Sequence, residues 1–257
     1  MKTKNFKKQL HTSNVSLGTW LTLAHPAIAE IMSNAGFDWI AIDLEHSVIT
    51  IKEAEELIRI IDLCGVTPLV RLTSNSEDQI KRVMDAGASG IIVPMVKTSE
   101  DVKKAISYVK YPPKGSRGVG LARAQGYGSH FDSYYEWQNE NSVVIIQIEH
   151  IEAVNNLESL FVEKELDGYI IGPYDLSASM GIPGQFENKL FLTAMERINN
   201  IASKFNLIGG IHIIEPNIEQ LKIKIDNGFK FIAYSLDIRM LDLSSRNAVN
   251  FLKLNNK

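Results

Sequence analysis

Strand-length apolar runs alternate with helix-length amphipathic segments from one end of this chain to the other, and few folds accept that alternation. Eight runs stand out, at residues 17–22, 38–43, 67–71, 90–94, 143–149, 168–172, 207–212 and 231–236. Residues 26–34, 51–62, 76–85, 99–109, 151–161, 188–205, 215–227 and 240–254 carry helical patterning between and after them. A strand followed each time by a helix is the mark of parallel βα units, not of a sandwich or a bundle. Pro26 suits a first helical position, and Gly36, Gly87 and Gly228 fall where helices should end. We therefore expect an α/β protein in which residues 1–257 form one (β/α)8 TIM barrel, a fold for which this length is ordinary.

One segment breaks the rhythm. Residues 111–130, YPPKGSRGVGLARAQGYGSH, hold two prolines and five glycines without apolar periodicity, so they read as a long loop. Leaving strand four, the loop would hang over the active face as a lid, and the plainer alternatives are a solvated excursion or a subunit contact.

A formal net charge of -3 offers no electropositive field for nucleic acid or anionic membrane, so a small molecule is the expected partner. No segment approaches the ~18 apolar residues of a membrane span, and no apolar stretch follows the basic start MKTKNFKKQL. The single cysteine, Cys64, lies in an apolar helical stretch and reads as a buried core thiol in a reducing compartment. We expect a soluble cytoplasmic protein.

The chemistry concentrates where apolar runs stop. Residues 143–148 end in Glu149, and residues 169–171 pass through Gly172, Pro173 and Tyr174 into Asp175. In a parallel barrel such residues emerge side by side at the carboxyl ends of successive strands, where catalytic groups sit. Strand two delivers Asp43, Glu45 and His46, and strand three delivers Arg71. A lone histidine is more often a structural hydrogen-bond partner and a lone arginine a surface ion pair, but their conjunction on one face with two acids points to a site.

Two carboxylates suit a hard divalent cation, Mg2+ or Mn2+ first and Co2+ as a further candidate, leaving coordination positions for water and substrate. A 2-oxo acid such as pyruvate fills two of them, and the metal then lowers the cost of forming an enolate. Arg71 is placed to bond the carboxylate and the developing enolate oxygen, and His46 to move a proton near neutral pH. Asp85, just before strand four, is one candidate to hold the His46 tautomer, although a helix-terminal aspartate is usually a cap or a surface charge.

The segments GTWLTLAHPAIAEIMSNAGFDWIAIDLEHS, PLVRL, GASGIIVPMV, YPPKGSRGVG, QIEH and IIGPYDLSASMG together resemble the class II pyruvate-dependent aldolases of the HpcH/HpaI group, over about residues 17–240. The resemblance implies a barrel of the phosphoenolpyruvate/pyruvate type that makes or cleaves a carbon-carbon bond between pyruvate and an aldehyde. It implies Glu149 and Asp175 as metal ligands, Arg71 as enolate stabiliser, His46 with Asp85 as proton-transfer pair, and Gly172 with Pro173 as backbone lining the pyruvate carboxylate. It also implies a homo-oligomer, commonly a hexamer in this group, with residues 240–254 packed on a neighbour.

Departures bear on the substrate. His150 directly follows the metal acid where many relatives carry a small hydroxyl residue, and His212 faces the expected mouth at the end of strand seven. Either a satisfied rim residue or a substrate contact fits His212. In the long loop, Arg117 and Arg123 either meet a carboxylate or hydroxyl of the aldehyde or pin the loop through carbonyls. We place Asp43, Arg123 and His212 among the substrate-binding candidates.

Other chemistries have weaker support. A class I aldolase needs a Schiff-base lysine, and Lys97 alone lies near a strand end. GSRGVG lacks the GK[ST] ending of a nucleotide loop, and HIIEPN and SLDIRM are not phosphate loops. Oxaloacetate decarboxylation would use the same metal-enolate chemistry. A thioester lyase like citrate lyase β or malyl-CoA lyase would also need a CoA site, which no motif supplies. A non-catalytic barrel would leave the Glu, Asp, Arg and His set without a role.

Overall fold

The computed structural model describes residues 5–255. Eight parallel strands close a barrel in sequence order: β1 (Ser16–Leu21), β2 (Trp39–Asp43), β3 (Thr67–Arg71), β4 (Gly90–Val93), β5 (Val143–Ile148), β6 (Gly168–Ile171), β7 (Ile208–Ile213) and β8 (Phe231–Leu236). The barrel is covered by α2 (Pro26–Asn34), α3 (Ile51–Leu63), α4 (Glu77–Asp85), α5 (Ser99–Val109), α7 (Ile151–Asn155), α8 (Leu157–Phe161), α10 (Lys189–Phe205), α11 (Ile218–Asp226) and α12 (Asp237–Asn255). The expected fold and strand positions are those observed. Of the basic start, residues 1–4 lie outside the described residues.

Three helices were not legible in the apolar pattern: α1 (Phe6–Thr12), α6 (Phe131–Asn141) and the short α9 (Pro173–Ser179). In α1, Phe6 and Leu10 are spaced to share one helical face, and both are buried with Trp20, Trp39, Val143 and Phe231 in the cluster inside the barrel. Outward-facing residues such as Ile40, Ile42, Val144 and Ile146 join the larger core beneath the helices. Period-two alternation therefore sorts each strand into two cores.

Two expectations are corrected. The long loop does not leave strand four; it follows α5, and a helix in a βα unit runs back to the amino-terminal end of the barrel. Arg123 there bonds Asp62 (2.7 Å) and the Ala86 carbonyl (3.3 Å), near the carboxyl ends of α3 and α4. Within one chain the segment cannot cover the carboxyl ends of the strands, and part of it is a 3-10 turn over Arg123–Gly128. Cys64, expected in the core, is exposed at the end of α3, because the apolar face of that helix is set by Ala54, Leu57, Ile58 and Ile61.

Candidate active site

The alternation that fills the barrel with apolar side chains delivers polar ones at its upper rim. Along β5, Val143 and Ile145 point into the barrel, so Gln147 and then Glu149 follow on the same face. Glu149 is buried, and one carboxylate oxygen accepts the Met95 backbone N–H at 2.5 Å. The other accepts the Gln147 side-chain amide at 2.6 Å. Met95 adopts a left-handed conformation (φ 53°), a strained choice for a non-glycine residue that aims its N–H at the acid.

Gly172 follows β6 and allows the next turn to pass close to Glu149. A Cβ at this glycine would lie 2.9 Å from Glu149 Oε2 and 3.0 Å from Glu149 Cβ. Pro173 then starts α9, a position where its missing N–H costs nothing, and sets Asp175 in the first helical turn. Asp175 is exposed and its carboxylate has no hydrogen-bond partner among the described residues.

On the neighbouring strands Asp43 and Arg71 stand in register. Arg71 donates from Nε to Asp43 Oδ1 (2.9 Å) and from Nη2 to Asp43 Oδ2 (2.6 Å), while Asp43 also accepts the backbone N–H groups of Glu45 and His46. The guanidinium lies 4.4 Å from the centre of a Trp20 ring and 3.3 Å from Glu45. His46 is largely exposed, with Nε2 3.8 Å from Glu45.

These groups surround a cavity of about 300 Å3 lined by Trp20, Asp43, His46, Arg71, Gln147, Gly172, Pro173, Asp175 and His212, among others. Its electrostatics disfavour further negative charge. Burial pushes Glu149 up to about 7, and the Glu45 and Asp175 carboxylates raise it further against the Met95 hydrogen bond. Burial likewise pushes Glu45 up to about 7, opposed by Arg71 and reinforced by Asp43 and Asp175.

The family model described as HpcH/HpaI aldolase/citrate lyase matches residues 16–241. The chain belongs to that family. It is 34% identical over 239 residues to a hydroxypyruvate/pyruvate aldolase of Roseobacter denitrificans, covering 92% of each chain. It is 35% identical to a 4-hydroxy-2-oxovalerate aldolase of Novosphingobium aromaticivorans, with 91% of this chain and 88% of the relative covered. A solved HpcH/HpaI aldolase/citrate lyase family protein of Burkholderia cenocepacia superimposes with a TM-score of 0.91 at 28% identity, covering 97% of this chain and 100% of the other. The chain is thus an enzyme of the aldolase and lyase type.

This HpcH/HpaI family site fits a divalent cation by the chemistry of its donors. No group of three or more His, Cys, Asp or Glu side chains forms a metal cage among the described residues. Instead it offers Glu149 and Asp175, close enough for the charge of one to raise the other, in a pocket with a net excess of carboxylates. Mg2+-like ions keep several waters and take one or two protein carboxylates, so this donor set suffices.

Not every expected residue joins the family site. Asp85 ends α4 and so lies at the amino-terminal end of the barrel, where it pairs with Arg117 (2.5 Å) and not with His46. Arg123 is engaged at that same end. Within one chain the reason is topological: a residue just before a strand starts at the end opposite the catalytic face. His150 caps α7, its Nδ1 accepting the Glu152 N–H (3.1 Å), and Lys97 sits 3.7 Å from Glu152 and does not line the cavity. Conversely, Gln147 and Trp20 line it but escaped notice. The signal for Gln147 was a polar residue two positions before Glu149 on an otherwise apolar strand; Trp20 gave none, because a tryptophan in a strand reads as core.

Proposed function

We propose that this enzyme is a divalent-metal-dependent aldolase, making or cleaving a carbon-carbon bond between pyruvate and an aldehyde to give or consume a 4-hydroxy-2-oxo acid. The observation that carries the reading is that Asp175 and the Asp43-clamped Arg71 line one cavity at the carboxyl ends of the strands, with Glu149 packed against its Gly172 wall and within electrostatic reach of both. The names of the aldolase relatives support the substrate class.

Glu149 and Asp175 would hold the cation, Mg2+ or Mn2+ by the hardness of the donors. When bound it supplies Lewis acidity toward a 2-oxo acid, lowering the cost of removing a methyl proton. The chain supplies the rest. Arg71 spends Nε and Nη2 on Asp43, which fixes its plane, and sets Nη1 3.3 Å from Glu45; the N–H groups not spent there are the donors for the oxygen on which charge develops. The backbone at Gly172 and Pro173 borders the substrate carboxylate without a side chain in the way. His46, at the cavity edge beside Glu45, exchanges the proton with the substrate. In cleavage the same groups act in reverse, with the proton leaving the 4-hydroxyl and returning to the methyl carbon.

We place the enzyme in the cytoplasm as a homo-oligomer, hexamers being the expectation. No helix among the described residues is long and apolar enough to cross a membrane. Ile238, Leu241 and Val249 of α12 are exposed, and α11 buries no residue, which leaves apolar surface for a second copy. The role that the resemblance implies for Asp85 would require the Asp85 of a second copy.

The test avoids the unknown aldehyde: loss of the pyruvate methyl signal by proton NMR in D2O, with metal-stripped protein before and after addition of Mg2+ or Mn2+. Exchange that needs both protein and metal is the expected result. No exchange at saturating metal and pyruvate would sink the reading.

A further inference from the structure

We propose that His212 makes the aldehyde side of this site selective for neutral, hydroxyl-bearing aldehydes, by presenting a fixed hydrogen-bond acceptor at the cavity wall; this rests on the aldolase reading above. His212 lies on β7, where the alternation of Ile208, Gly210 and His212 turns it inward. Its Nε2 is 3.3 Å from the Ser235 carbonyl oxygen. A carbonyl has no hydrogen to give, so Nε2 carries the proton and donates. Ser235 is held for this by its own left-handed backbone (φ 55°) and by donation of its hydroxyl to the Ile214 carbonyl at 2.9 Å.

The other ring nitrogen is then defined. Burial, with the Arg71 charge behind it, pushes His212 down to about 4, so the ring is neutral at working pH and Nδ1 is a lone-pair acceptor. Nδ1 has no partner among the described residues, and the ring lines the cavity with its edge against Trp20 at 5.6 Å between centroids. A residue needed only to pack against Trp20 would be served by leucine, without a polar atom to satisfy.

The rest of this wall has the same polarity. Thr22 spends its hydroxyl proton on Asp237 (2.6 Å), which leaves only oxygen lone pairs for the cavity. Asp237 is buried and accepts three further bonds from the backbone N–H groups of Thr22, Leu23 and Ile238, so it is a fixed anion behind the wall. Ile214, Leu236 and Ile238 complete the lining. Arg71 is the one Lys or Arg among the lining residues; it is paired with Asp43 and Glu45, and its remaining donors are assigned above to the pyruvate half of the reaction. An aldehyde carrying a carboxylate would meet acceptors and an anion here, whereas a hydroxyl would donate to Nδ1.

The experiment measures kcat/KM for addition of pyruvate to glycolaldehyde and to propanal, which differ by a hydroxyl in place of a methyl, with succinic semialdehyde as the anionic probe. Wild-type enzyme should prefer glycolaldehyde to propanal, and propanal to succinic semialdehyde, each by about tenfold, the scale of one hydrogen bond or one uncompensated charge. His212→Leu should reduce the glycolaldehyde-to-propanal ratio about tenfold, and His212→Asn, whose amide oxygen can stand in for Nδ1, should keep it within about threefold. The ratio is taken within one preparation, so partial misfolding or metal loss scales both rates and cancels. An unchanged ratio in His212→Leu, an equal fall in both variants, or a wild-type preference for succinic semialdehyde would overturn the assignment of His212. Wild-type enzyme that adds pyruvate to none of the three and exchanges no methyl protons would instead overturn the aldolase reading beneath it.

Discussion

Arg71 and Asp43 meet across the β2–β3 register as a two-pronged pair, with both carboxylate oxygens bonded to different guanidinium nitrogens. Asp43 is itself held by two backbone N–H groups of the turn that follows it. The guanidinium plane is therefore set before any substrate arrives. A lysine cannot reproduce the fork. Arg71→Lys should keep the fold and the charge yet lower metal-dependent pyruvate exchange by about 10²–10³-fold, the cost of losing an oriented donor at a developing oxyanion. Exchange within threefold of wild type, measured by the D2O assay, would remove Arg71 from that role.

Gly172→Ala should injure the site without replacing a charged group. The added methyl would press on Glu149 Oε2 and Cβ, and the acid has little freedom because Met95 and Gln147 already hold its two oxygens. We expect weaker Mn2+ binding by about tenfold or more, read by titration calorimetry, with circular dichroism close to wild type. Unchanged affinity would mean that Glu149 does not hold the metal in this orientation.

The two raised carboxyls predict an unusual pH profile of stability. For Glu149 and Glu45 the folded-state value is near 7 against 4.5 for an unperturbed group, so across that window the native state binds more protons than the unfolded chain. Stability then falls as pH rises from about 4.5 to about 7 and levels off above it. A divalent cation binds the ionised form, so its affinity should rise with pH and cancel the loss. Thermal melts of metal-stripped protein across the window should show the decline, and Glu149→Gln should make it shallower, leaving the Glu45 part, while abolishing metal-dependent exchange. A melting temperature that rises through the window would contradict the burial-dominated reading.

The barrel and half of the site were legible because both depend on periods the sequence displays openly. Strand spacing gave all eight barrel positions, and the acids at strand ends marked the rim where Asp43, Arg71 and His212 line the cavity and Glu149 packs against Gly172. Position along the chain does not reveal which end of the barrel a loop occupies unless the intervening helix is counted, and within one chain that places Asp85 and Arg123 at the end opposite His46. Gln147 and Trp20 were hidden for a different reason. Trp20 works through a ring over Arg71, a contact between strands that no local pattern encodes, and Gln147 works through a hydrogen bond to Glu149 two positions on, in a strand that otherwise reads as apolar core.

Asp85 offers the sharpest separation of structural from catalytic work. Its partner Arg117 is buried, bonded also to the Tyr134 hydroxyl at 3.1 Å and stacked 4.6 Å from the Tyr111 ring centre, so the carboxylate neutralises a charge that water cannot reach. Removing one member of such a pair costs about 3 kcal/mol or more. Asp85→Ala should therefore lower Tm by roughly 5–10 °C, and a Tm within about a degree of wild type would refute the structural role. A proton-transfer role is a separate matter, because within one chain Asp85 and His46 are at opposite ends of the barrel. Co-refolding His46→Ala chains with Asp85→Asn chains tests it. Recovered aldolase activity in the mixture would mean that sites are shared between copies, each drawing His46 from one chain and Asp85 from another. Mixed oligomers that assemble but recover nothing would leave Asp85 with Arg117 alone.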